Sequence, residues 1–260
     1  MIKVLIVTIL SAISGSLFAG EIGCIYQAGR NAEIMKTGPS PAWEAVKKAM
    51  PFSEGDRIKT GPGGFCEILL KDGTFIKVDE RSELAAGELK LNFSAKDSSP
   101  KAKQAAVTNR SYVFSFLSGK AMWLAAKFKA AVASKFEVRT PSAVCAVRGT
   151  AFTVAVSSQD TAVGLFEGNL AVATALENKE IAQGSEATVS NGAFTVQTRL
   201  SRFMELENKR YGKLKNRVEE LRKKLAKRDD FIDSFLAAQN KKVSDYEKRK
   251  AEKLGKRGKQ

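Results

Sequence analysis

The sequence predicts an all-β domain, β-solenoid-like or sandwich-like, followed by a long C-terminal α-helix with a heptad pattern. Three observations carry this. Turn signals recur at short, regular intervals through residues 20–196. Asp72-Gly73 separates two apolar runs, residues 65–70 and 75–78, and such a pair between apolar runs is the strongest short hairpin signal. At Leu200 the apolar period changes from that of a strand to alternating threes and fours. Turn spacing alone does not choose between a solenoid, a barrel and a sandwich.

Residues 1–19 read as a secretory signal peptide. Lys3 opens it, residues 4–13 form an apolar stretch, and residues 14–19 are a small-residue exit ending in Ala19. The apolar part is shorter than the ~20 residues that span a bilayer, so an anchor is not expected. The mature chain would be exported, to the periplasm or the extracellular space.

Residues 20–93 should be short strands. A first strand pair covers 23–35, residues 43–50 lead to a Glu54-Gly55-Asp56 turn, and the Asp72-Gly73 hairpin follows. Residues 94–109 are polar and small, which predicts a mobile surface insertion. A second β-rich block runs from Arg110 to about Val196. Within it, Ser118-Gly119-Lys120 precedes a core run at 121–128, and Thr140-Pro141 fixes a corner because proline has no ladder donor. Further turns are expected at residues 157–160, at Glu167-Gly168-Asn169, at Gln183-Gly184 and at Asn191-Gly192.

In the tail, Leu200, Met204, Tyr211, Leu214, Val218, Leu221, Leu225, Ile232, Phe235 and Tyr246 keep one register. Glu207, Arg228, Gln239 and Lys242 interrupt it. A single helix over 198–254 would be about 80 Å long at ~1.5 Å per residue. Its narrow apolar stripe needs a cover, which could be a second copy, the β-domain or another protein. The organisation expected is thus a signal peptide (1–19), a β-domain (20–196) and a basic helical tail (197–260).

Composition limits the chemistry. There is no histidine in the 260 residues, which excludes Ser-His-Asp and Cys-His pairs, histidine zinc motifs and histidine bases. No compact set of Asp, Glu and Lys replaces them, so no enzyme, metal or cofactor is expected. Residues 61–64, Gly-Pro-Gly-Gly, lead into a strand with no Lys-Ser or Lys-Thr behind them, so they read as a turn and not a phosphate loop. Of the three cysteines, Cys24 and Cys66 could pair in an oxidising compartment, or all three could be small buried hydrophobes. The formal charge is +15; residues 200–260 hold 20 basic and 10 acidic side chains, against 22 and 18 in residues 20–199. The excess sits in the tail.

Five ordered blocks then resemble the FecR family. They are Gly55-Asp56-Arg57-Ile58-Lys59-Thr60-Gly61 with Asp72-Gly73-Thr74, Gly119-Lys120 with its following strand, and Thr140-Pro141-Ser142-Ala143-Val144 with Val147-Arg148-Gly149-Thr150-Ala151-Phe152-Thr153-Val154. Residues 166–172 and 182–187 close the set, and the resemblance covers about 43–189. Cys145 and Ala146 depart from the small residue and glycine common in the family. The resemblance implies a β-solenoid-like all-β fold and an interaction role in the envelope. Relatives acting on sigma factors carry a cytoplasmic region and a membrane helix ahead of this domain; here an export signal stands there. The C-terminal module by which such relatives meet an outer-membrane transporter is replaced by the basic helix.

The expected function is a non-catalytic scaffold or sensing module that self-associates or docks through its tail, with two alternatives. One is a periplasmic component of FecR-type signalling; the other is a binder of anionic envelope polymers or lipid head groups. Arg148 could bond a partner carboxylate or tie neighbouring strand carbonyls. Lys223, Lys224, Arg228, Lys248, Arg249 and Lys250 could form a docking surface or simply a solvated face. The partners expected are an envelope protein, a second copy through residues 200–250, or an anionic polymer or membrane surface. Nucleic acid is not expected, because aromatic residues for stacking are sparse among the basic ones.

Overall fold

The computed structural model describes residues 22–93, 107–127, 133–158, 160–228 and 230–257. The predicted signal peptide lies outside the described residues, as do residues 94–106 of the predicted insertion. Residues 107–109, also assigned to that insertion, instead begin a strand.

The first eight strands are β1 (Gly23–Ala28), β2 (Ala32–Met35), β3 (Trp43–Ala45), β4 (Pro51–Phe52), β5 (Arg57–Thr60), β6 (Cys66–Leu70), β7 (Phe75–Val78) and β8 (Glu83–Phe93). Seven more follow: β9 (Val107–Leu124), β10 (Ala133–Arg139), β11 (Val144–Ser157), β12 (Asp160–Ala173), β13 (Asn178–Ile181), β14 (Glu186–Ser190) and β15 (Ala193–Gln197). Helices α1 (Arg202–Lys227) and α2 (Phe231–Arg257) end the chain. All the strands join one sheet, and of its described pairings only β9 with β10 is parallel. A solenoid would stack parallel coils, so that alternative is corrected: tight turns such as Asp72-Gly73 reverse the chain where a coil would carry it onward. At that turn Gly73 takes φ +85° and Asp72 accepts from the Thr74 amide at 2.8 Å. The expected pair at 23–35 is two strands that do not pair with each other; β1 joins β4 and β6, while β2 joins β3 and β5.

The sheet closes around its core because three long strands change neighbours midway, each at a glycine. β9 leaves β8 and β10 and joins β7 and β11 at Gly119 (φ +87°). β11 leaves β10 for β9 at Gly149 (φ +65°), and β12 leaves β14 for β13 at Gly168 (φ +92°). Other residues rarely adopt these conformations, and an extra residue at such a bulge bends its strand. Arg148-Gly149-Thr150 is therefore a bulge inside β11, and Glu167-Gly168-Asn169 lies inside β12 and is not the separate turn expected from sequence. The enclosed layer buries Trp123 among Phe114, Phe136 and Phe152.

The β1–β6 ladder also corrects the proposed disulfide. Cys24 stands opposite Leu69 and belongs to the outer apolar layer, whereas Cys66 stands opposite Ala28 and belongs to the enclosed one. They lie on opposite faces, about 13 Å apart along the strand at ~3.3 Å per residue, beyond the ~7 Å Cα reach of a bridge.

The tail is two helices, not one. Ser201 caps α1 by accepting from the Met204 amide, and its own amide donates to Glu186 at 2.7 Å. The break at residues 228–230 carries neither proline nor glycine. Arg228 reaches over it to Asp230 and to the Ser234 hydroxyl, and the Ser234 amide donates to the Asp230 carbonyl at 2.7 Å.

Candidate functional site

The outer face of the sheet presents Cys24, Leu69, Phe75, Met122, Leu124, Ala151 and Phe166 as one apolar strip. Tyr211, Leu214, Val218 and Leu221 of α1 and Ile232 and Leu236 of α2 cover it. This fixes the cover that the heptad stripe needed: it is the chain's own β-domain. Over residues 204–236 the seam's apolar side chains are buried or half-buried on the β-domain, which leaves self-association through residues 200–250 without support, although Tyr246 remains exposed. Helix and strand approach closely at Gly164, where a side-chain Cβ would stand 2.7 Å from the Met204 sulfur.

Two charged rows flank the seam. On one side Arg217 donates to Glu67 at 2.5 Å, and Arg210 reaches Glu207 at 2.9 Å and Asp79 at 3.8 Å. Lys120 from β9 joins Glu207 at 2.7 Å and Asp79 at 3.0 Å. On the other side Glu167 accepts from Lys127 at 2.7 Å, Lys215 at 2.6 Å and the Tyr211 hydroxyl at 2.5 Å. Arg222 donates to the backbone carbonyls of Gly73 and Leu124 at 3.0 and 2.9 Å. Lys71 meets Asp233 of α2 at 3.1 Å, and Phe235 stacks on Tyr26.

These contacts account for the electrostatics. Hydrogen bonds from Lys127, Lys215 and Tyr211 hold the Glu167 carboxyl down at about 2. Burial, then the bond to Glu167, pushes the Tyr211 hydroxyl up to about 12, and Lys215 is raised by the same carboxylate. Burial also raises the Cys66 and Cys145 thiols, so neither is a nucleophile in the folded state. The two flanks differ in completeness. Glu67 and Glu207 are almost fully buried, and each keeps one carboxylate oxygen without a hydrogen-bond partner among the described residues. Both line a cavity of about 520 Å³ beside α1. The Glu167 flank borders one of about 450 Å³, and an open groove of about 810 Å³ lies between Phe65, Val156, Val189 and Phe203. No cluster suited to a metal occurs among the described residues. The arrangement holds a helix on a sheet through apolar contact and charge-assisted bonds.

The residues expected to form a contact surface are not brought together. Arg148 is exposed on β11, opposite Asn169, and its side chain has no hydrogen bond or ion pair among the described residues. It does not tie neighbouring strand carbonyls. Lys223 pairs with Glu220 within α1, Lys224 is exposed nearby, and Arg228 spans the helix break. Lys248 and Arg249 are exposed far along α2, and the Lys250 side chain lies outside what is described. The cations that meet the β-domain are others: Arg210 and Arg217 on one flank, Lys215 and Arg222 on the other. Each pair is seven residues apart beside the Tyr211–Leu214–Val218–Leu221 seam, a spacing the sequence does contain.

No curated protein matches the chain. Two crystal structures of a proposed anti-sigma factor from Parabacteroides distasonis resemble it at 18% identity and a TM-score of 0.40, each match covering 54% of this chain. The chain spans 58% of the length of that structure. Residues 56–171 match the family described as FecR protein, a narrower region than 43–189 that leaves the 182–187 block outside. Gly119, Gly149 and Gly168 all fall within it. Over residues 56–171, this chain is similar to the FecR family.

Proposed function

We propose that this chain is an exported, non-catalytic FecR-type interaction module of the cell envelope, working as a component of a signalling pathway. The observation that supports it is the FecR family match over strands whose outer face is closed by the chain's own helix. That arrangement is a stable platform with its apolar strip already covered, so contacts with an envelope protein would use exposed side chains such as Arg148. A pure scaffold role, with no signalling partner, is the second reading. Purification of the tagged chain from solubilised envelopes separates the two. Recovery of a membrane-bound regulator supports signalling; recovery of the chain alone or with envelope polymer supports the scaffold. An envelope-directed enzymatic activity that disappears on a single Asp or Glu substitution would overturn both.

A further inference from the structure

The two helices of the tail use their charge differently. α1 also has exposed cations without an ion pair among the described residues, such as Lys209, Lys213, Lys224 and Lys227, but its other cations hold it on the β-domain. In α1, Arg210, Lys215 and Arg217 pair with carboxylates of the β-domain, and Lys223 pairs with a carboxylate of its own helix. In α2, Ile232 and Leu236 are the last side chains to be buried, and the described ones beyond them are exposed or half-buried. There Lys241, Lys242, Lys248 and Arg249 are exposed and have no ion pair among the described residues. Their positions repeat after seven residues, 241 with 248 and 242 with 249, which places them in two neighbouring rows along one side of the helix. Asp245 lies between the rows and offsets one of the four charges. Tyr246, 66% exposed, stands at the margin of the same face.

From this we infer that the distal half of α2 docks on an anionic lipid surface. The face is one side of a helix, about 12 Å long at ~1.5 Å per residue, so it offers a row of charge and no pocket for a small ligand. Lys and Arg near an anionic bilayer surface each add to binding, and an exposed tyrosine beside them suits the head-group layer. Further along α2 the sequence continues with Lys250, Lys253, Lys256 and Arg257. This inference does not depend on the FecR reading, because α2 lies outside the matched region.

The test is co-sedimentation of the chain from Gly20 onward with phosphatidylcholine vesicles, with and without phosphatidylglycerol, at low and high salt. Binding should require the anionic lipid and weaken with salt. It should fall at least tenfold in K241Q/K242Q/K248Q/R249Q, with helix content checked by circular dichroism. K223Q/K224Q, at the end of α1, should bind within twofold of the unaltered chain. Equal binding to pure phosphatidylcholine, no binding to anionic vesicles at low salt, or an unaffected quadruple variant would each overturn the inference. So would equal preference for soluble polyglutamate, which would assign the face to an acidic polymer instead.

Discussion

Arg217→Met asks how much one charged bond contributes to seating α1. The Glu67 side chain is 4% exposed; its one bonded oxygen takes Arg217 at 2.5 Å and stands 3.7 Å from Lys77, while its other oxygen has no described partner. Removing the guanidinium leaves a buried carboxylate with a single distant cation, itself shared with Asp79 at 3.8 Å. Breaking a fully buried pair costs ~3–5 kcal/mol. The Arg217 side chain is 41% exposed, so water reaches part of the gap, and a loss of about 2 kcal/mol is expected. Glu67→Gln removes the charge that needs the donor and should cost under about 1 kcal/mol. The double variant should therefore be less destabilised than the sum, with a coupling of about 1–2 kcal/mol. Urea unfolding of the four proteins, followed by circular dichroism, measures all three values. If Arg217→Met costs no more than an ordinary surface pair and the double variant is simply additive, the charged flank does not hold the helix.

Other predictions rest on separate features. Gly168→Ala puts a side chain at φ +92° and 2.8 Å from the Gly149 carbonyl; a loss of at least about 2 kcal/mol should appear in thermal melts. The folded value of Glu167, about 2, lies below the ordinary 4.5. Its contribution is thus complete above the ordinary value and is lost as pH falls from there toward about 2, so Glu167→Gln should flatten the stability profile across that window. Cys66 and Cys145 should resist thiol reagents until the chain unfolds, and mass mapping should find no Cys24–Cys66 bridge. Gly164→Val should push on Met204 and lower the melting temperature by several degrees, whereas Gly212→Ala, with open space around it, should not.

Much of this was legible in the sequence, for reasons that differ by element. The Asp72-Gly73 hairpin follows from local chemistry, because few residues besides glycine accept φ +85°. The same chemistry misled at Gly168, since a positive φ serves a bulge within a strand as readily as a turn between strands. Asp72 reads as a turn residue, yet its buried carboxylate also holds Arg110 of β9 at 3.1 Å, a pairing fixed by tertiary contact. The heptad stripe identified the buried side of α1 but not its partner, because a narrow apolar seam fits a sheet as well as another helix. The break at 228–230 was signalled by Asp229-Asp230 ahead of an apolar pair, a helix-start pattern that the running register masked. Lys223, Lys224 and the Lys248 cluster stood out by density of charge. The cations that reach the sheet stood out only by their spacing of seven beside the seam.

In this fold α1 seats on the sheet of its own chain. Zero-length carbodiimide coupling tests it, since Lys215 and Glu167 lie 2.6 Å apart and a carbodiimide joins a lysine amine to a carboxylate only at contact distance. Equal amounts of chain with natural and with heavy nitrogen would be mixed, coupled and digested. A Lys215–Glu167 cross-link found only between peptides of the same isotope is the predicted result. Mixed-isotope cross-links would place the helix on a second copy, and the absence of any such link would mean that α1 is not on this face.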